Sequence, residues 1–190
     1  MNIAANSVVG LLICLLLIAA WSDIKTRRIP NWLVLSGIVI GLLANGLLPA
    51  GLGINNTFVP GGLGWLGAIQ GMGLGLAVLL PLYLLRAMGA GDVKLMGLVG
   101  AFLGPVHVQG AILFTLLAGG LIALMLALRA GLMKRLLQNI KFILMGGMVK
   151  MSVGQLPVMD DLPLSVGKLP YGVAIAIGTL SWLVWQRLGY

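Results

Sequence analysis

Carboxylates are rare in this chain, which makes each one informative. The sequence contains no Glu and only four Asp, namely Asp23, Asp92, Asp160 and Asp161. Asp23 closes the first long apolar segment, and Asp92 opens a later one. An ionisable side chain at the depth of such a segment is costly and usually has a functional role. We therefore take Asp23 and Asp92 as the candidate reactive pair, and interpret the other two, which lie in a Pro-rich stretch, as solvated loop charges.

Two carboxyl groups that share a site can work as an acid and a base. Their mutual repulsion keeps a proton on one of them, so that the ionised group activates a water and the protonated group donates to a leaving group. This is the chemistry of an aspartyl protease. The alternative is that Asp23 and Asp92 anchor helix ends by pairing with Lys25 and Lys94. Positions i and i+2 of a helix do not face each other, so no simple local ion pair is predicted.

The residues around the two carboxylates narrow the chemistry further. Asp92 follows Gly89-Ala90-Gly91, and such a run lets the backbone depart from a helix and approach an extended peptide. Proteolysis needs an extended substrate, because a helix hides its peptide bonds. The chain has one Cys, Cys14, and one His, His107, which cannot form a zinc site of the usual kind. We expect no metal or cofactor, a buried apolar Cys14 and a His107 far from the aspartates.

The elements that position these residues are predicted to be membrane helices. Of the 190 residues, 60% are hydrophobic and only 8% are charged, against about 25% charged in soluble domains. Several apolar runs approach the roughly 20 residues that cross a bilayer. The net charge of +8 comes from basic residues scattered between these runs, which is typical of topology signals and does not favour nucleic-acid binding. The fold class is therefore an all-α polytopic membrane protein, a single domain over residues 1–190.

The apolar runs predict about six transmembrane helices with both termini outside. They cover approximately residues 3–22, 31–48, 62–85, 92–104, 108–128 and 169–188. In this layout every Lys and Arg except Arg187 falls on the cytoplasmic side, as the positive-inside rule requires. Residues 134–150 are either a cytoplasmic amphipathic segment or a seventh span. Gly67, Gly71 and Gly75 recur at a spacing that favours close helix packing over a substrate groove.

Three motifs resemble those of type IV prepilin peptidases. Gly89-Ala90-Gly91-Asp92-Val93-Lys94-Leu95 resembles the GxGDxKL motif of that family. Asp23 with Ile29-Pro30-Asn31 resembles its other aspartate motif, and Leu169-Pro170-Tyr171-Gly172 resembles its C-terminal Pro-Tyr-Gly segment. The GxGD pattern alone also occurs in presenilin-like proteases, but the three motifs in this order are typical of prepilin peptidases.

The resemblance implies a function, a location and a set of site residues. It implies that Asp23 and Asp92 are catalytic and cleave the leader peptides of prepilins or pseudopilins at the cytoplasmic face of the bacterial inner membrane. The partners are then these leader peptides and membrane lipid, with no cofactor. It also implies supporting roles, in substrate binding or in shaping the motifs, for Gly89, Gly91, Lys94, Pro30, Asn31, Pro170, Tyr171 and Gly172. Asn31 is expected to cap or orient the second span.

One departure from the family pattern and two competing functions remain. Longer members carry an N-terminal Cys-rich domain with paired Cys-x-x-Cys motifs and also methylate the new N-terminus. This sequence resembles the short, peptidase-only members of Flp-type (tight adherence) pili, which does not favour N-methyltransferase activity. The competing functions are a small ion- or proton-coupled transporter that uses Asp23 and Asp92, and a presenilin-like intramembrane protease, in which a Pro-Ala-Leu element would replace Leu-Pro-Tyr-Gly.

Overall fold

A computed structural model describes residues 3–48, 62–129, 131 and 170–188. Over these ranges the chain forms five helices and no strand: α1 (Ile3–Thr26), α2 (Asn31–Leu47), α3 (Gly64–Leu84), α4 (Ala90–Arg129) and α5 (Tyr171–Arg187). The all-α expectation is confirmed for this part of the chain. Residues 134–150, Asp160 and Asp161 lie outside the described residues.

The outer faces of the helices are apolar, as expected of a bundle that contacts lipid. Many large apolar side chains are more than half exposed, among them Leu17, Leu35, Leu66 and Leu117. Within the described ranges, three helical stretches are long and apolar enough to span a bilayer: Ser7–Thr26, Gly64–Leu84 and Ala90–Arg129. The described part of the chain is therefore that of a helical membrane protein. The expected number of about six spans is not confirmed, because α2 and α5 have 17 residues each, short of the roughly 20 that span a bilayer unaided.

Helix α4 folds back on itself at Gly104. The backbone of Gly104 is non-helical, with φ 73° and ψ 179°. A Cβ built on Gly119 would lie 3.6 Å from the Tyr171 ring, and the phenol of Tyr171 also lies within range of the Asp92 charge. In a straight helix Asp92 and Gly119 would be about 40 Å apart, at 1.5 Å per residue. The first segment, residues 90–103, therefore runs opposite to the second, residues 105–129, and the predicted end of the short fourth segment beside Pro105 is confirmed.

The fold-back point is stabilised by a buried amide from α2. Asn45 is fully buried, and its Nδ2 donates to the carbonyl oxygens of Ala101 at 2.7 Å and Phe102 at 3.1 Å. These carbonyls end the first segment of α4, where the turn at Gly104 and the missing N–H of Pro105 remove their helical donors. Asn45 thus caps a helix end from a neighbouring helix, a role that we did not predict from the sequence.

Two of the three predicted packing glycines lie in the contact between α3 and the first segment of α4. A Cβ on Gly71 would lie 2.6 Å from the Cα of Gly104, and one on Gly75 would lie 2.5 Å from the carbonyl oxygen of Met96. The backbones of the two helices therefore touch, and the packing interpretation is confirmed at these positions. Gly67 faces only the side chain of Leu63, so it does not take part in this contact.

Cys14 lies elsewhere than expected. We predicted a buried side chain, but Cys14 is exposed. It shares the outer face of α1 with Leu11 and Ile18, which are also exposed. A small apolar side chain is as compatible with lipid as with a protein core, so the prediction of burial was wrong.

We expect opposite effects from two Ala substitutions on α3. Gly71→Ala should destabilise the protein by about 1–3 kcal/mol, as overpacking does, because its Cβ meets backbone that cannot rotate away. Gly73→Ala should be neutral or stabilising by up to about 1 kcal/mol, since nothing lies within 4 Å of its Cβ position and Ala is the better helix former. Unfolding of the detergent-purified variants by SDS titration measures both, and equal stability of the two would contradict the close-packing argument.

Candidate active site

Asp23 lies in the last turn of α1 and caps the start of α5. The residue is 6% exposed, and its Oδ2 accepts a hydrogen bond of 2.8 Å from the backbone N–H of Gly172. The amide of Val173 also acts on this carboxyl. The first N–H groups of a helix have no partner within the helix, and the positive end of the helix dipole favours a carboxylate. The two residues are far apart in sequence, and this bond joins α1 to α5.

Asp92 caps its own helix. It is the third residue of α4 and 9% exposed. Its Oδ2 accepts a 3.0 Å hydrogen bond from the N–H of Gly89, and its own N–H donates to the Gly89 carbonyl at 3.2 Å. The first bond is one half of a capping box, in which the side chain of the third helical residue accepts from the N–H of the residue before the helix. Gly89 has no side chain, so its carbonyl accepts the return bond. The spacing of Gly89 and Asp92 therefore has a local structural cause.

The start of α5 brings the two carboxyls to one end of the bundle. The charges of Asp23 and Asp92 lie close enough to interact. Tyr171 lies within range of the Asp92 charge, while the next residue, Gly172, binds Asp23. The Tyr171-Gly172 dipeptide thus binds Asp23 through one residue and lies within range of the Asp92 charge through the other. His107 lies beyond the turn at Gly104, beside Trp182 with ring centroids 6.4 Å apart, as expected for a residue far from the aspartates.

Two glycines of the motifs leave space for the carboxyls. A Cβ on Gly172 would lie 3.0 Å from both Cβ and Oδ2 of Asp23, and a Cβ on Gly89 would lie 3.3 Å from Oδ2 of Asp92. A Cβ on Gly91 would make only an ordinary contact, 3.4 Å from Cβ of Ile29. None of the three glycines has a positive φ, so space rather than backbone freedom explains them.

The Gly-Ala-Gly run differs from its prediction. We expected the backbone to depart from helix over Gly89–Gly91, but α4 already begins at Ala90. The side chain of Asp92 caps the helix by accepting the N–H of Gly89. The first turn of α4 can therefore begin at Ala90, two residues before Asp92. Within this run, only Gly89 therefore lies outside the helix.

The remaining motif residues position helix starts on the rim of the site. Pro30 and Pro170 each stand immediately before the first residue of a helix, α2 and α5 respectively. Lys94 Nζ donates to Oδ1 of Asn31 at 3.2 Å, and both side chains are exposed. Asn31 does not cap α2, where no side-chain cap is formed; instead it joins α2 to α4. A cap requires the residue before the helix, and that position is Pro30.

Neither carboxyl pairs with the lysine two residues after it, as far as the described residues show. Lys94 binds Asn31, and the cation whose charge acts on Asp23 is Arg27. These contacts therefore do not support the alternative in which Asp23 and Asp92 anchor helix ends by pairing with Lys25 and Lys94. Among the described residues, no three His, Cys, Asp or Glu side chains come together.

Comparison with known protein families gives one match. The model of the type IV leader peptidase family matches residues 10–128. This range includes Asp23, Asp92 and the whole first segment of α4, but not the Tyr171-Gly172 dipeptide, so it is shorter than the resemblance suggested by the motifs. No curated protein and no solved structure matches the chain.

The capping role of Asp23 predicts different stabilities for two substitutions. Asp23→Asn keeps an oxygen that accepts the Gly172 N–H and removes a charge from a site shared with Asp92, so it should be at least as stable as the wild type. Asp23→Ala removes the acceptor and should cost about 0.5–2 kcal/mol, as loss of a helix cap does. SDS unfolding of the purified variants tests this, and an Ala variant as stable as the Asn variant would contradict the cap.

Proposed function

The chain belongs to the type IV leader peptidase family, and from this premise we propose that it is an aspartyl endopeptidase with Asp23 and Asp92 as its catalytic pair. One observation supports this assignment above the others. Two buried carboxyls, from helix ends distant in sequence, lie within range of each other's charge. Residues with a purely structural role would not require two like charges to share a buried site, because such a pair is unfavourable when both are ionised.

The proposed reaction is the addition of water across a peptide bond. A water between the two carboxyls gives a proton to the ionised one while its oxygen bonds to the peptide carbonyl carbon. The protonated carboxyl donates to the peptide as the tetrahedral intermediate forms. The C–N bond then breaks as the pair gives a proton to the amine nitrogen and takes one back from a hydroxyl of the intermediate. This leaves a carboxylic acid, an amine and one proton shared by the pair.

The proposed substrates are leader peptides of prepilins or pseudopilins. In these proteins a short basic leader precedes an apolar helix, so the bond to be cut separates a polar segment from a membrane-embedded one. Trp21 and Trp32 lie beside Asp23 and Asn31 in sequence, and are 67% and 68% exposed. Exposed Trp side chains are typical of the membrane interface, and a site at this depth suits such a bond.

We assign the site to the cytoplasmic face of the bacterial inner membrane. Described basic residues cluster at the end of the bundle that holds the carboxyls: Lys25, Arg27, Arg28, Arg86, Lys94 and Arg129. Arg187 lies at the end of α5, opposite the end that binds Asp23. An excess of Lys and Arg marks the cytoplasmic side, which supports this orientation.

Removal of either carboxyl charge should slow cleavage by orders of magnitude. Asp23→Asn and Asp92→Asn should each lower turnover by about 10²–10⁴-fold, the usual contribution of a general acid or base, because each lacks one partner of the pair. The measurement is cleavage of a purified prepilin by detergent-solubilised enzyme, followed as a mobility shift of leader length. Ser36→Ala, which removes only a hydrogen bond within α2, serves as the control.

Near wild-type turnover by either Asn variant would remove that residue from the catalytic pair. If wild-type enzyme cleaves no prepilin, while the same protein in vesicles moves protons or cations in a manner that depends on Asp23 and Asp92, the transporter function replaces the peptidase.

The glycines next to the carboxyls should matter in the order of their contacts. Gly172→Ala places a Cβ 3.0 Å from Asp23, and Gly89→Ala places one 3.3 Å from the Asp92 carboxyl. Each must shift its carboxyl by a few tenths of an ångström, and misplacement by about 1 Å costs on the order of 100-fold in rate. We expect kcat to fall several-fold to about 100-fold, more for Gly172→Ala. Gly120→Ala, with nothing within 4 Å of its Cβ position, should cleave like the wild type.

A further inference from the structure

The turn that follows Asp23 has an unusual backbone conformation. Arg27 directly follows the last residue of α1 and has φ 53°, in the left-handed region, which is unfavourable for a residue other than Gly. Its N–H completes the helix by donating to the carbonyl of Asp23 at 2.9 Å. A residue keeps such a conformation when surrounding contacts enforce it, so the turn must be held by other groups.

Two hydroxyl side chains hold this turn. Ser22 Oγ donates to the carbonyl oxygen of Arg28 at 2.9 Å. Thr26 Oγ1 lies 2.8 Å from the carbonyl oxygen of Ser22 and 3.1 Å from that of Arg28, and its single proton serves one of them at a time. The bond from Ser22 therefore ties the backbone after the turn to the last turn of α1. We call this bond, with the support of Thr26, the hydroxyl clamp.

The clamp sets the position of Ile29, which contacts the start of α4 beside Asp92. Ile29 follows Arg28 and packs against the core. A Cβ on Gly91 would lie 3.4 Å from Cβ of Ile29, so Ile29 contacts the residue that precedes Asp92. Ser22 itself precedes Asp23 directly. A chain of contacts thus runs from one aspartate to the other through Ser22, Arg28 and Ile29.

From this chain of contacts we propose that Ser22 is a positioning residue of the active site. Its hydroxyl fixes the carbonyl of Arg28 and thereby holds Ile29 against Gly91, which sets the start of α4 relative to the end of α1. Ser22 does not act on substrate; it acts through the placement of Asp23 and Asp92. The contact it maintains belongs to the fold alone, whereas its effect on catalysis rests on the proposed function.

A disulfide probe measures the contact without any assay of activity. In a Cys14→Ala background, Ile29→Cys with Gly91→Cys places two Cβ atoms about 3.4 Å apart, near the 3.5–4.5 Å that a disulfide requires. Mild oxidation of the membrane-embedded protein should therefore link the two positions. Adding Ser22→Ala should slow formation of the link several-fold, while Ser22→Thr, which keeps the hydroxyl, should restore it. Ser36→Ala should leave the rate unchanged.

Kinetics of the otherwise wild-type enzyme separate the clamp from the proposed function. Ser22→Ala should lower kcat several-fold with little change in KM, since the substrate still binds but the carboxyls are misplaced, and Ser22→Thr should recover kcat. An unchanged rate of disulfide formation in Ser22→Ala would overturn the clamp, whatever the activity. A slowed rate in a protein whose wild type cleaves no prepilin would instead support the clamp and reject the peptidase.

Discussion

The hydrogen bond between the Gly172 amide and the Asp23 carboxyl joins parts of the chain that no local preference would bring together. Through it, α1 is attached to α5. Helix α5 also packs along the second segment of α4, where Gly178 lies against Thr115 and Trp182 against Gly110. Helix α5 is thus bound to Asp23 at its start and packed against α4, the helix whose first segment begins beside Asp92. The position of α5 therefore determines how close the two carboxyls come.

This arrangement depends in turn on the reversal of α4 at Gly104. A continuous helix of 40 residues would be about 60 Å long at 1.5 Å per residue, twice the thickness of a hydrocarbon core. The left-handed φ of Gly104, the missing N–H of Pro105 and the amide of Asn45 end the first segment together. The second segment then returns to the level of Asp92, where Gly119 meets Tyr171.

The sequence predicted the features that local chemistry determines. The positions of Asp23 and Asp92 at helix ends and the break beside Pro105 follow from apolar run lengths and from proline, which are short-range signals. The contacts of Gly172 with Asp23 and of Lys94 with Asn31 could not be predicted, because they depend on tertiary packing. Burial also failed as a guide at Cys14. A membrane helix is apolar on its lipid face and on its core face, so the amphipathic pattern that orients helices in water carries little information here.

The choice of backbone amides as partners has a consequence for the proposed chemistry. A buried lysine paired with one aspartate would hold that carboxyl ionised, and leaving the lysine alone after proton transfer would be costly. An amide N–H makes no such demand, because a carboxyl oxygen accepts its hydrogen bond in the ionised state and, through its carbonyl oxygen, in the protonated state as well. Asp23 and Asp92 are both held in this way, by Gly172 and by Gly89. In the proposed reaction, a proton can therefore move between the two carboxyls while the hydrogen bonds that place them stay the same.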